Sequence, residues 1–220
     1  MQLAAVTLAR IFAFIEPVDL NPQGRTHYPD LTAALVKRYG FLKFPQKPED
    51  FDESKGVLYE FGKFDNVTNI RVQIHSLGII VDTASSTDDC ERVLEDALMW
   101  GARELGFAYK PDSIKRKAYV SQVTFFSDVN FGKLHPALMK LSDRLTTRVP
   151  QFLGQPIKFD ITGIVIGVDP LSVKAPPVPF TIERRLDTPF SENKYFSSAP
   201  LPTSEHVRLL ETLEADIKTT

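Results

Sequence analysis

IRVQIHSLGIIVDTASSTDDCERVLEDALMWGAREL (Ile70–Leu105) is the stretch on which the fold turns. It opens by alternation: Ile70, Val72 and Ile74 stand against Arg71, Gln73 and His75, as on a strand with one buried and one wet face. At Ile79, Ile80 and Val81 the run turns continuously apolar, the pattern of a strand covered on both sides. Then the period changes. Cys90, Val93, Leu94, Ala97, Leu98, Gly101 and Leu105 recur at helical spacing and make one broad apolar stripe. Ser86 or Thr87 offers a cap, and Asp88, Asp89 and Glu91 place negative charge at the positive end of the helix dipole. Gly106 supplies a left-handed stop, with Phe107 beyond it for the closing contact. The stretch predicts a strand run followed by a helix over Thr87–Leu105.

Outward from it, the N-terminal side reads as a strand (Val6–Ile15), a helix (Leu31–Tyr39) and a strand (Val57–Phe64), the last turning at Asp65-Asn66 into Ile70–Val81. The same order returns afterwards: strand (Tyr119–Ser127), helix (Ala137–Arg148), strands (Phe159–Val168 and Phe180–Leu186), helix (Ser204–Ile217). Small motifs echo with it. His27, Pro29 and Leu31 open one helix, and His135, Pro136 and Leu138 open another. Asp82-Thr83 and Asp187-Thr188 follow strands, and Thr87-Asp88-Asp89 and Thr203-Ser204-Glu205 start helices. The expectation is an α+β fold, an antiparallel sheet with helices on one face, built as a tandem βαββα duplication. Its halves are residues 1–110 and 111–220, packing as one body. The alternative partition is a ferredoxin-like βαββαβ unit with a C-terminal extension.

A chain of 220 residues with 43% hydrophobic and 25% charged side chains can bury a core without covalent staples. The one cysteine, Cys90, excludes an intramolecular disulfide framework and suits a reducing, cytoplasmic setting. A net charge of −2 gives no global pull toward nucleic acid or an acidic membrane. The apolar run Leu3–Ile15 has no preceding basic residue and is interrupted by Arg10, so it reads as a buried strand rather than a signal or a span.

Chemistry is sparse in this sequence. It has no phosphate-binding glycine loop, no G-x-S-x-G elbow and no H-E-x-x-H. Cys90 lies on a helix stripe, as a structural thiol does, and one Cys with four His cannot build the usual zinc spacings. No cofactor or metal is called for, and the enzyme question is left open with the balance toward no. The catalytic candidates are His27 and His135, which a pseudo-twofold axis could bring to one cleft as acid and base of a phosphoesterase-like hydrolase. Lys115, Arg116 and Lys117, with Arg184 and Arg185, are the basic clusters that could contact phosphates. The stretch Phe190–Pro202 reads as a proline-bounded aromatic loop, in which Phe190, Tyr195 and Phe196 are candidate contacts for a partner. The last helix presents Val207, Leu210, Leu213 and Ile217 for docking on the sheet.

These readings favour a non-enzymatic protein-interaction or assembly protein, cytoplasmic and without a membrane span, binding another protein or a copy of itself as a homo-oligomer. A nucleic-acid-associated protein is the second reading and the paired-histidine hydrolase the third.

Overall fold

The computed structural model describes residues 1–219. In chain order the elements are β1 (Gln2–Phe14), α1 (Pro17–Leu20), α2 (Tyr28–Tyr39), β2 (Val57–Phe64), β3 (Val67–His75), β4 (Gly78–Thr83) and α3 (Thr87–Glu104). These are followed by β5 (Arg116–Phe126), α4 (Pro136–Arg148), α5 (Pro150–Leu153), β6 (Gly163–Ile166), β7 (Phe180–Arg184), β8 (Lys194–Ala199) and α6 (Thr203–Thr219). The fold is α+β with antiparallel strand pairing. The strand neighbours β2-β3-β4-β1 of the first half recur in the second as β6-β7-β8-β5. Each half carries one strand more than the βαββα pattern.

Both extra strands have a physical reason. The run Ile70–Val81 is not one strand but two, folded back at Ser76-Leu77 so that His75 faces Gly78 and Ile74 faces Ile79. The change from alternating to continuous apolar character was the mark of that turn. Gly78 is required there: a Cβ would stand 2.2 Å from the carbonyl oxygen of Ala13 on β1. In the second half, the segment read as an aromatic loop holds β8. Its inward residues are Tyr195, Ser197 and Ala199, and the last two, one polar and both small, do not announce a strand.

The chain forms two compact units. One comprises Val6–Gln122 and Pro200–Glu205; the other comprises Met1–Ala5, Val123–Ala199 and the chain from His206 on. In the first, Ala9, Ile11 and Ala13 of β1 stand beside Thr83, Val81 and Ile79 of β4, and Val81 and Ile79 beside Val72 and Ile74 of β3. This single face packs against Leu35 and Tyr39 of α2 and against Cys90, Val93, Leu94 and Leu98 of α3. Ser86 caps α3 by accepting the Asp89 amide at 3.0 Å, as the sequence predicts. Cys90 is buried, donates to the Ala9 carbonyl at 3.2 Å and is pushed up to about 12 by burial, so it remains a thiol.

In the second unit, Val123 and Phe125 of β5, Tyr195 and Ser197 of β8 and Ile182 of β7 are buried, as is Leu210 of α6. The face that α6 turns inward is shifted from the expected one. His206, Leu210 and Glu214 are buried, while Val207, Leu213 and Ile217 are only half-covered. Two polar side chains sit in that stripe because they have partners: Ser197 on β8 for His206, and Ser127 just past β5 for Glu214.

Candidate interaction surface

Helix α4 has clear start signals and an apolar stripe but no buried residue. Pro136 occupies its first turn, and His135 caps it by accepting the Ala137 amide on Nδ1 at 3.2 Å. Leu138, Leu141 and Leu145 recur at i, i+3 and i+7. Ser142 and Thr146 lie within the same arc and tie it to the chain ahead of β6: the Ser142 hydroxyl donates to the Phe159 carbonyl at 2.7 Å, and the Phe159 amide donates to Thr146 at 2.9 Å. The leucines beside them stay open, with Leu141 51% exposed. The contrast with α2 is direct, since α2 occupies the same place in its half and buries Thr32, Leu35 and Tyr39.

The neighbours of α4 in its unit are open as well. Phe152 on α5 is 86% exposed, and Leu153 beside it is also uncovered. β6 is the terminal strand of the order, and its Val165 and Ile166 are exposed. An exposed strand edge with apolar residues is a template for pairing unless something covers it. Helix, turn and edge strand each leave apolar side chains open, Val165 and Ile166 on opposite faces of β6.

The residues singled out in the sequence have other places. Tyr195 is core: its ring packs on Phe125 at 5.6 Å and edge-on to Phe131 at 5.0 Å between centroids, and its hydroxyl accepts the Phe131 amide at 3.2 Å. It is not available to a partner. Phe190 and Phe196 keep open ring area, Phe190 beneath the Arg184 guanidinium at 4.7 Å.

The basic residues are mostly spent within the fold. Arg184 is buried and donates to the Phe190 carbonyl at 2.7 Å and to Asn130 Oδ1 at 2.6 Å, which makes it a structural residue. Arg185 pairs with Asp187 at 3.0 Å and holds that carboxyl down at about 2. Asp187 therefore follows β7, and β8 still intervenes before α6, so it is not the equivalent of Asp82. Lys115 reaches Glu16 at 2.9 Å, and Lys117 reaches Glu91 at 3.1 Å. Arg116 alone of the five has neither a carboxylate partner among the described residues nor burial; it stacks on Phe14 at 4.1 Å.

His27 and His135 are both exposed and both stand at helix starts, but they belong to different units.

A serine–histidine pair went unnoticed in the sequence. The Ser197 hydroxyl lies 2.8 Å from His206 Nε2, and both residues are fully buried. Ser197 already donates its proton to the Thr181 carbonyl at 2.6 Å. The Nε2 must then carry the hydrogen and donate it to Ser197, so this histidine is no base toward that hydroxyl. The pair is a buried core contact without access for a substrate.

No family model and no curated protein matches the chain. Among solved structures it is similar to Methanococcus jannaschii TBP, with a TM-score of 0.47 and 12% identity over 100% of each chain. Among the described residues no helix is long and apolar enough to cross a membrane.

Proposed function

We propose that this chain is a non-enzymatic assembly protein of the cytoplasm, which binds a protein partner or a second copy of itself through the apolar face of α4 with α5 and β6. The observation that carries this reading is a three-turn amphipathic helix with no buried residue, while its counterpart α2 is packed. Phe190 and Phe196 are secondary contacts in this reading. Leu138, Leu141 and Leu145 are 50%, 51% and 38% exposed, so covering each contributes roughly half of a full leucine burial, about 1 kcal/mol.

The test is Leu141→Glu with Leu145→Glu. Multi-angle light scattering should show a smaller species than the parent, or a pull-down should lose its partner, with circular dichroism unchanged. A parent that is monomeric and recovers no partner sinks the proposal.

One observation favours nucleic acid as a second reading. On the sheet face away from α2 and α3, Phe12 and Phe14 lie 4.2 Å apart and Arg116 stacks on Phe14, a combination suited to unstacked bases. Salt-dependent retention of a random single-stranded oligonucleotide, lost in Arg116→Ala, would support it; no retention at low salt ends it.

A further inference from the structure

The Val6–Gln122 unit contains a cavity of about 320 Å³ between the sheet, α2 and α3. Its floor is formed by Val72, Ile74, Ile79 and Val81, and its wall by Leu94 and Leu98. Three of these four floor residues differ from the rest of the same sheet face, Val81 being 1% exposed. Ile11, Ala13, Val57, Tyr59 and Ile70 are 0% exposed, whereas Val72, Ile74 and Ile79 retain 7%, 8% and 9%. A water-sized space therefore stands over these three residues. Native interiors are packed to crystal density, and a void of this size is in the range of small-molecule sites. Water has nothing to bond to over that floor, so an occupant must be apolar there.

The polar end is equally defined. Glu53 is the one charged side chain on the lining. Tyr28, the first residue of α2, donates its hydroxyl to Glu53 Oε1 at 2.5 Å. Burial, and then the bond to Glu53, push that phenol well above its ordinary range, so it stays a donor. Oε2 has no hydrogen-bond or cationic partner among the described residues. The backbone of Glu53 is fixed in turn, its carbonyl accepting the Ser76 amide at 3.4 Å. Of the other polar groups on the lining, Asn21 bonds Thr26, Thr26 donates to the Leu105 carbonyl and the Tyr39 hydroxyl donates to Asp96.

We propose that this cavity binds a small apolar amine, its hydrocarbon or aromatic body over Val72, Ile74, Leu94 and Leu98 and its ammonium group on the free oxygen of Glu53. A half-buried carboxylate with one neutral donor is stabilised by a cation and repels an anion. The site thus selects the sign of the head group, and fatty acids and phosphate esters are disfavoured.

The experiment uses the full chain and three probes of equal length, octylamine, octanol and octanoate, in calorimetry and thermal-shift assays near neutral pH. Octylamine should bind tighter than octanoate by about tenfold or more, with octanol between them. Glu53→Gln should bring octylamine down to the octanol level, and Glu53→Lys should reverse the order. Ala97→Phe, which places a ring in the cavity, should remove binding of all three. Because Ala97→Phe alters a packed helix, the Glu53 variants at the rim carry the decision. Octanoate binding as tightly as octylamine, an octylamine affinity unchanged in Glu53→Gln, or no binding by any probe overturns the proposal.

Discussion

Thr87 and Thr203 exchange hydrogen bonds reciprocally: the Thr87 amide donates to Thr203 Oγ1 at 3.0 Å, and the Thr203 amide donates to Thr87 Oγ1 at 2.9 Å. They are the first residues of α3 and α6, the closing helices of the two halves, and both are buried. Each threonine hydroxyl accepts an amide that the other threonine's helix leaves unpaired. On this contact between corresponding helix starts we propose that residues 1–110 and 111–220 are duplicated halves.

Replacing either threonine by valine removes one acceptor and leaves a buried amide unsatisfied. We expect Thr87→Val and Thr203→Val each to lose about 1–2 kcal/mol in urea unfolding. The double variant should lose less than the sum, because the two bonds share one geometry. Strict additivity would show the bonds to be independent.

Leu98 is buried on the α3 stripe that the sequence assigns to the core. Leu98→Ala should reduce stability by about 2–5 kcal/mol, the range for emptying a packed leucine site. A midpoint equal to the parent's would mean that the helix collapses over the vacated space.

Arg184 and Arg185 are adjacent in sequence and opposite in role. Arg184→Ala strips partners from the Phe190 carbonyl and Asn130, and should cost about 2 kcal/mol or more. Arg185→Ala removes an exposed pair with Asp187, and the unfolding midpoint should move by less than about 0.5 kcal/mol equivalent. Equal effects at both positions would contradict the assignment of Arg184 to the core.

Glu214 gives the acid dependence. Burial alone would raise its pKa, but the Met1 amino group, the Ser127 hydroxyl and the Asp128 amide more than offset this and hold it at about 2, against an ordinary value of 4.5. A carboxyl depressed in the folded state contributes stability above its ordinary value and loses it as pH falls toward the depressed one. Glu214→Gln should therefore be less stable than the parent at about pH 7, and the gap should close on acidification toward about pH 2. A gap that is constant with pH, read from urea midpoints, would exclude this role.

The periodic and capping signals were local, and the sequence determined what they encode. The α3 stripe from Cys90 to Leu98, its Ser86 cap and the strand alternation of Ile70, Val72 and Ile74 follow from side-chain period and backbone chemistry within a few residues. So does the return of the same element order after residue 110. Tertiary structure decided whatever depends on which neighbour a side chain meets. Tyr195 and Ser197 became strand because Phe125, Phe131 and His206 receive them. Arg184 became core because a carbonyl and an amide lie within its reach. α2 and α4 share start chemistry and apolar spacing, yet one is covered and the other is not. An apolar face is written in the sequence, but its burial depends on what lies across from it, and the same holds for the cavity above Val72 and Ile74. Such spaces arise between elements distant along the chain, where no sequence period records them.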